Sequence, residues 1–410
     1  MNIKQIFRTL PFLKESNCIV LGVTSDYMFA AANVILAVEK HSPCLIDKYV
    51  VYHTKEDPVS DSDKKVAKKL CKKIEFRQFD IGKDLPQDHP LYKRYSPLFF
   101  CRFSIFDLLN EFDNVLYLDA DLVIQKDISR IFKYKPMAGR PTVKNIRDRV
   151  TNKDYFNFTD DDFSPNGGLL FVSRELPNYK TYRKECCQIL SELIAINEPK
   201  FLDELTFGIL NKRHNLGMKR LPRRFNCDCP WENSNEATIV HSINNDKFWD
   251  HLILKILFPQ WSTLNAVWEK AGGSSYTGKV KWADHLGGTN REIIHSFQHY
   301  AFWSHFLTNF QVPKTLRLRY NLFKNYIILY IEGYDKDIHY ELTRSKGKIL
   351  VALHHERNMF NEYKLRIDEF NNSKYIKRKT KSGFSIETLV PTDLAQLTLE
   401  NLMYETKKLL

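Results

Sequence analysis

Apolar residues in the first third of the chain fall into short unbroken runs separated by polar, helix-spaced stretches. Cys18–Val23 (CIVLGV) is such a run, and a continuous apolar stretch of that length is what a strand covered on both faces needs. Ala30–Lys40 follows with Val34, Ile35 and Val38 at helical spacing. Lys48–Tyr52 (KYVVY) predicts a second strand, Lys64–Lys72 a solvated helix, and Ile74–Phe79 an alternating strand. Pro97–Phe112 predicts a strongly apolar helix with Phe99, Phe103, Phe106 and Leu109 along one face, and Val115–Leu118 (VLYL) another buried strand. Strands alternating with helices predict an α/β domain whose sheet is covered on both sides.

Beyond residue 130 the pattern is mixed. Gly168–Val172 and Ile239–Ile243 predict strands, while Leu202–Leu210, Trp261–Lys270 and Arg291–Phe310 predict helices. The Gly/Ser-rich stretch AGGSSYTG marks a seam near Gly272. After Pro313, Tyr326–Ile331, Ile338–Thr343 and Ile349–His354 predict strands, with turn signals at Gly333 and Ser345-Lys-Gly, and Pro391–Leu410 an amphipathic helix. The expected organisation is an α/β domain over 1–271, a helical connector over 272–312 and a small basic α+β module over 313–410.

With 410 residues, 43% of them hydrophobic and 27% charged, wholesale disorder is excluded. No apolar run reaches the roughly 18 residues of a membrane-spanning helix. The N-terminus is interrupted by Pro11, Lys14 and Glu15 and does not read as a signal peptide, so a cytoplasmic location is expected. The formal charge of +12 attracts phosphorylated ligands, anionic lipid or nucleic acid alike. No recognised DNA or RNA motif is present, so nucleic acid is not an expected partner. Half of that excess lies in residues 312–410, with 18 basic against 12 acidic side chains; Lys374, Lys377, Arg378, Lys379 and Lys381 are densely spaced. That stretch and the aromatic helix around Phe297, Tyr300, Phe302, Trp303 and Phe306 are candidates for peripheral contact with an anionic membrane. The eight cysteines include no CxxC, and reduced thiols are expected.

The sharpest chemical feature is Asp119-Ala120-Asp121, directly after VLYL. Strand ends in an open α/β sheet are where ligands bind. Two carboxylates about 4 Å apart repel by roughly 4 kcal/mol at an effective dielectric near 20. A divalent cation reverses that sign, and hard oxygen ligands suit Mg²⁺ or Mn²⁺. His241, in the strand TIVHSI, could complete the site; an imidazole favours Mn²⁺ over Mg²⁺. Lys247, six residues on, could neutralise phosphate.

Several ordered segments share a resemblance. VTSDYMFAAANVILAVEKHSP, RFSIFDLLNEFDNVLYLDADLVIQKDISRIF, PNGGLLFVS, LDELTFGIL, LPRRFN and HSINNDKFW follow one another over roughly Cys18–His251. Together they resemble the GT-A-fold glycosyltransferases of family 8, which include bacterial lipopolysaccharide glucosyl- and galactosyltransferases and glycogenin. The resemblance implies a Rossmann-like nucleotide-binding domain with a mixed sheet. It implies Mn²⁺ (or Mg²⁺) held by Asp119, Asp121 and His241, and uridine contacted by Thr24, Asp26 and Tyr27. Arg102 would lie by the nucleotide and donor sugar, Lys247 on the diphosphate, and Asn166 and Asp203 on the sugar hydroxyls. The implied reaction is retaining transfer of a hexose from a UDP-sugar to a hydroxyl of an oligosaccharide or glycolipid acceptor, such as a bacterial surface glycan.

The chain departs from the family pattern at four places. Glu204 stands where the family has Gln, Asn244 replaces a glycine, Phe248 a proline, and Gly167-Gly168 a small residue plus glycine. An acid at 204 lies where, in the family, a side chain sits beneath the anomeric carbon. It would stabilise an oxocarbenium-like transition state or capture it as a nucleophile. The altered Asn244 and Phe248 leave a second reading, a nucleotide-sugar or carbohydrate binder with weakened turnover. A third is another nucleotidyl-transfer enzyme that shares Asp119 and Asp121 but needs neither His241 nor Lys247.

Overall fold

The computed structural model describes residues 15–410 except 82–84, 86–95, 143–145, 152–155, 160, 199–200, 230–233, 243–245, 281–289, 321, 333, 335–336, 357–366 and 381–382. Asn244, Ile243, Lys381 and the Gly333 turn signal therefore lie outside the described residues. The chain divides into two compact units, one of Met1–Asp228 with Ser234–Lys281, the other of Cys229–Asn233 with Trp282–Leu410.

The first unit is built on β1 (Asn17–Gly22), β2 (Lys48–His53), β3 (Ile74–Gln78), β4 (Asn114–Leu118), β6 (Met137–Pro141), β7 (Pro165–Ser173) and β8 (Lys219–Arg220). They form a seven-stranded sheet in the order β3-β2-β1-β4-β7-β6-β8. β1, β2, β3 and β4 are parallel; β7 runs antiparallel to β4 and β6, so the sheet is mixed. Cys18, Ile19, Val20 and Leu21 are wholly buried, as an unbroken apolar run in a central strand should be. β1 is flanked by β2 on one side and β4 on the other, so the chain reverses its winding there. The C-terminal ends of β1 and β4 consequently face a crevice at a topological switch point. A small sheet of β5 (Leu122–Ile124), β10 (Ile239–His241) and β9 (Cys227–Asp228) lies in the order β5-β10-β9.

The helices of this unit are α1 (Met28–His41), α2 (Asp61–Leu70), α3 (Ile105–Leu108), α4 (Tyr179–Ala195), α5 (Leu202–His214), α6 (Leu252–Leu257) and α7 (Pro259–Lys270). One predicted helix changes character. Pro97–Ser104 winds as a 3-10 helix and only Ile105–Leu108 is α-helical. Ser96 caps the segment by accepting from the Leu98 N–H at 3.3 Å, and Pro97 opens it. At three residues per turn Phe100 and Phe103 fall on one line, Phe106 follows on α3, and all three are buried. The segment crosses the end of β1 so closely that a Cβ on Gly22 would meet Cys101 Sγ at 2.3 Å.

The Gly/Ser-rich stretch stays with the first unit: the Trp268 indole N–H donates to the Ser274 carbonyl at 2.8 Å, and the Ser274 N–H to Asp63 Oδ1 at 2.8 Å. The division accordingly falls near residue 281 rather than 271. The helix α8 (Asn290–Asn309) is no free-standing connector, since it contributes Trp303 to the core of the second unit.

That second unit holds a six-stranded antiparallel sheet in the order β11-β12-β13-β14-β16-β15. Its strands are β11 (Leu316–Tyr320), β12 (Tyr326–Ile331), β13 (Ile338–Ser345), β14 (Lys348–Glu356), β15 (Ile376–Lys379) and β16 (Gly383–Pro391). Ile327, Leu329, Leu342, Val351 and Ile386 project into a core closed by Trp303 and by Leu399 and Leu402 of α9 (Ala395–Thr406). The aromatic residues of α8 turn largely inward: Trp303 is fully buried, and Phe302 and Phe306 pack against the same core. Among the described residues, no helix is long and apolar enough to cross a membrane.

Candidate active site

Asp119 and Asp121 sit just beyond β4, where the strand leaves the sheet. The Asp119 N–H donates to the Gly168 carbonyl at 3.0 Å, which extends the β4–β7 pairing one step and fixes the turn. Asp121 opens β5, and β5 pairs antiparallel with β10, placing Leu122 opposite His241. The Ser242 N–H then donates to the Asp121 carbonyl at 3.2 Å. A residue more than a hundred positions later is thus brought beside the two aspartates by backbone pairing alone. His241 Nε2 lies 3.1 Å from Asp121 Oδ1 and 3.8 Å from Asp119 Oδ2. One ligand atom from each of Asp119, Asp121 and His241 lies within 4.8 Å of the other two.

Asp121 Oδ1 is buried and receives no hydrogen bond, although the imidazole is so near. An acceptor left bare in the interior costs about 1–3 kcal/mol. A cation bridging the carboxylate and the ring nitrogen would satisfy both groups. Burial pushes the Asp119 carboxyl above its usual range, Arg102 opposing and Asp121 adding to the rise. Burial acts on Asp121 in the same sense, but the adjoining His241 ring and Lys247 ammonium outweigh it and hold that carboxyl well below the usual range.

Arg102 is buried rather than on a surface. Its Nη1 contacts Asp203 Oδ2, its Nη2 donates to Asp119 Oδ1 at 3.3 Å, and its guanidinium lies over the Phe99 and Tyr117 rings. The Tyr117 hydroxyl donates to the same Asp119 oxygen at 2.7 Å. One arginine thus ties the end of β4 to the first turn of α5. Glu204 is the neighbouring carboxylate. Its Oε1 accepts from the Gly167 N–H at 2.9 Å and from Asn166 Nδ2 at 3.0 Å, and its Oε2 contacts Arg149 Nη2. Burial raises the Glu204 carboxyl; Arg149 lowers it and Asp203 adds to the rise.

The paired glycines are required by this crowding. A Cβ on Gly167 would stand 2.2 Å from Arg102 Nη1 and 2.5 Å from Asp203 Oδ2. One on Gly168 would stand 2.2 Å from Cε1 of His241.

Lys247 Nζ contacts Asp121 Oδ2 and donates to the Ser242 carbonyl at 2.7 Å, so its charge sits at the same cluster. Thr24, Asp26 and Tyr27 lie beyond β1; among the described residues no hydrogen bond joins them to the acidic cluster. Thr24 Oγ1 is buried without a partner, and Asp26 and Tyr27 are exposed. Tyr27 rests 5.6 Å from the Trp249 ring, centroid to centroid, and Trp249 packs on Phe29 and Trp261. This aromatic cluster backs the exposed tyrosine and links its loop to the Lys247 segment. Phe248, by contrast, is fully buried against Phe258 and is a core residue.

Sequence reasoning singles out Asp119, Asp121, His241, Arg102, Asp203, Glu204, Asn166 and Lys247, and contacts in the structure join them in one cluster. It missed Tyr117, Arg149 and Asn226. Tyr117 is the third letter of VLYL, a polar tip in an otherwise apolar run. Asn226 closes LPRRFN, and Arg149 carries no local signal.

The model of glycosyl transferase family 8 matches residues 18–253, over half of the chain. This chain belongs to that family. It is a glycosyltransferase, and its first unit is an α/β domain with a mixed sheet. No curated protein matches it. Among solved structures it is similar to the galactosyltransferase LgtC bound to donor and acceptor sugar analogues, at 15% identity over 61% of this chain and 95% of that one, TM-score 0.46. WbbM, a bifunctional glycosyltransferase, gives 14% identity, 64% and 52% coverage and a TM-score of 0.46. The glycosyltransferase GlyE of Streptococcus pneumoniae TIGR4 gives 17%, 65% and 66%, and 0.41.

Proposed function

We propose that this glycosyltransferase is metal-dependent and retaining, and moves a hexose from a UDP-sugar to a hydroxyl of a bacterial surface glycan such as lipopolysaccharide or capsule. The observation that carries the reading is the bare, buried Asp121 Oδ1 facing His241 Nε2 beside Asp119. Asp119, Asp121 and His241 would hold the cation, and two carboxylates with an imidazole favour Mn²⁺ over Mg²⁺. When bound, the ion supplies Lewis acidity at the departing diphosphate.

The remaining roles fall to the chain's own side chains. Lys247 places a positive charge against the diphosphate. Thr24 and Asp26 meet the uridine, and Tyr27, backed by Trp249, stacks on its base. Arg102 ties Asp203 to Asp119 and aims both at the donor, and Asp203 and Asn166 meet sugar hydroxyls. Glu204 serves as a fixed negative charge near the anomeric centre. With three donors on its two oxygens it is better suited to stabilise positive charge than to act as a free nucleophile. The exposed basic strand β15 would touch an anionic cytoplasmic membrane surface.

The weakened-binder reading loses one support, since Phe248 sits in the core. The test is a panel of UDP-sugars with Mn²⁺, reading UDP release with and without glycan acceptors. Acceptor-dependent UDP release supports the proposal. Pyrophosphate release would mean nucleotidyl transfer, and tight UDP-sugar binding without turnover would mean a binder.

A further inference from the structure

Asn226 lies wholly buried between His241 and the Glu204 region. His241 Nδ1 is 2.9 Å from Asn226 Oδ1, Asn226 Nδ2 donates to Asn166 Oδ1 at 2.8 Å, and Asn166 Nδ2 donates to Glu204 Oε1 at 3.0 Å. The direction of this chain is set by groups that cannot turn round. The Gly168 N–H donates to Asn166 Oδ1 at 3.2 Å, and the Gly167 N–H to Glu204 Oε1 at 2.9 Å. A backbone N–H is always a donor, so Asn166 must present its oxygen towards Asn226 and its amide hydrogens to Glu204. Asn226 must then turn its amide hydrogens to Asn166 and its oxygen to His241. Only an N–H can satisfy that oxygen.

We infer that Asn226 is a positioning residue that holds His241 as the Nδ1–H form and leaves the Nε2 lone pair facing Asp119 and Asp121. An outer partner that fixes a ligating imidazole is typically worth 10–100-fold in metal affinity. The chain ends on Glu204, so the carboxylate at the sugar end and the ligand at the ion end share one polarity.

The inference rests on the proposed metal site, and two measurements separate them. The first needs no metal. Nitrogen-15 shifts of His241 are read on metal-free protein at a pH where the ring is neutral. The expected result is Nδ1–H in the wild type and a shift towards Nε2–H in Asn226→Ala; Nε2–H in the wild type overturns the inference. The second is Mn²⁺ affinity by electron paramagnetic resonance. Asn226→Ala is expected to lose about 10–100-fold, whereas Asn226→Asp, which keeps an acceptor for Nδ1–H, stays within about threefold of wild type. Both variants lose the bond to Asn166 and melt lower. Equal affinity losses in the two would therefore point to packing and overturn the inference. A wild type that shows Nδ1–H but binds no Mn²⁺ would remove the metal reading and leave the tautomer assignment standing.

Discussion

Gly168→Ala tests the geometry of the site with one methyl group. The added Cβ would stand 2.2 Å from His241 Cε1 and 2.5 Å from Nδ1, where ordinary contacts begin at 3.4 Å. The ring must retreat by about 1 Å, and a displacement of that size at a reacting site costs about 10²-fold. That is roughly 2.7 kcal/mol of transition-state stabilisation. β7 cannot readily give way instead, because Gly168 is paired to Asp119 and its strand is buried between β4 and β6. Overpacking should also lower stability by about 1–3 kcal/mol. The assay is kcat/KM for UDP release at saturating Mn²⁺, with a melting curve beside it. Gly217→Ala is the control. Gly217 has φ +66° and nothing within 4 Å of its would-be Cβ, so that variant should lose about 1–2 kcal/mol of stability and no turnover. A Gly168→Ala enzyme within about twofold of wild-type kcat/KM would refute the placement of His241 in the working site.

Three further outcomes are expected. Glu204→Gln removes the fixed charge and should lower kcat by about tenfold or more; near-normal turnover would strip Glu204 of its role. Asp162 is raised by burial, but Lys212 and the Thr159 N–H and hydroxyl outweigh this and hold its carboxyl below the usual range. A depressed carboxyl contributes stability that is complete above the unfolded value of about 3.9 and is lost as pH falls through the native one. Asp162→Asn should therefore cost about 1 kcal/mol near neutrality, and the gap to wild type should close in acid unfolding titrations. Charge reversal in β15, Lys377→Glu with Lys379→Glu, should reduce co-sedimentation with anionic vesicles; undiminished sedimentation would move any membrane contact elsewhere.

The α/β half was legible because a central parallel strand cannot tolerate polar residues, so Cys18–Val23 and Val115–Leu118 announce themselves. Pro97–Phe112 was harder: Phe100, Phe103 and Phe106 repeat every three residues, a spacing that suits an α-helical face and a 3-10 line alike. In the second unit β11, β15 and β16 escaped notice; Leu316–Tyr320 alternates with arginine and Ile376–Lys379 is basic after its first residue, so those two carry little apolar signal. The residues of the site that stood out were those whose charge is unusual at a strand end, Asp119 and Asp121. Tyr117 and Asn226 act by hydrogen-bond direction, and Arg149 by reaching Glu204 from a distant turn. Neither property leaves a mark in a linear pattern.

The two aspartates close one strand of the large sheet, whereas the histidine arrives on a three-residue strand made more than a hundred residues later. A nascent chain that has finished β4 and its turn therefore owns two repelling acids and no imidazole beside them. The trio assembles only when the small ribbon has zipped onto β5. An ion held by the proposed trio would favour that zipped state by mass action.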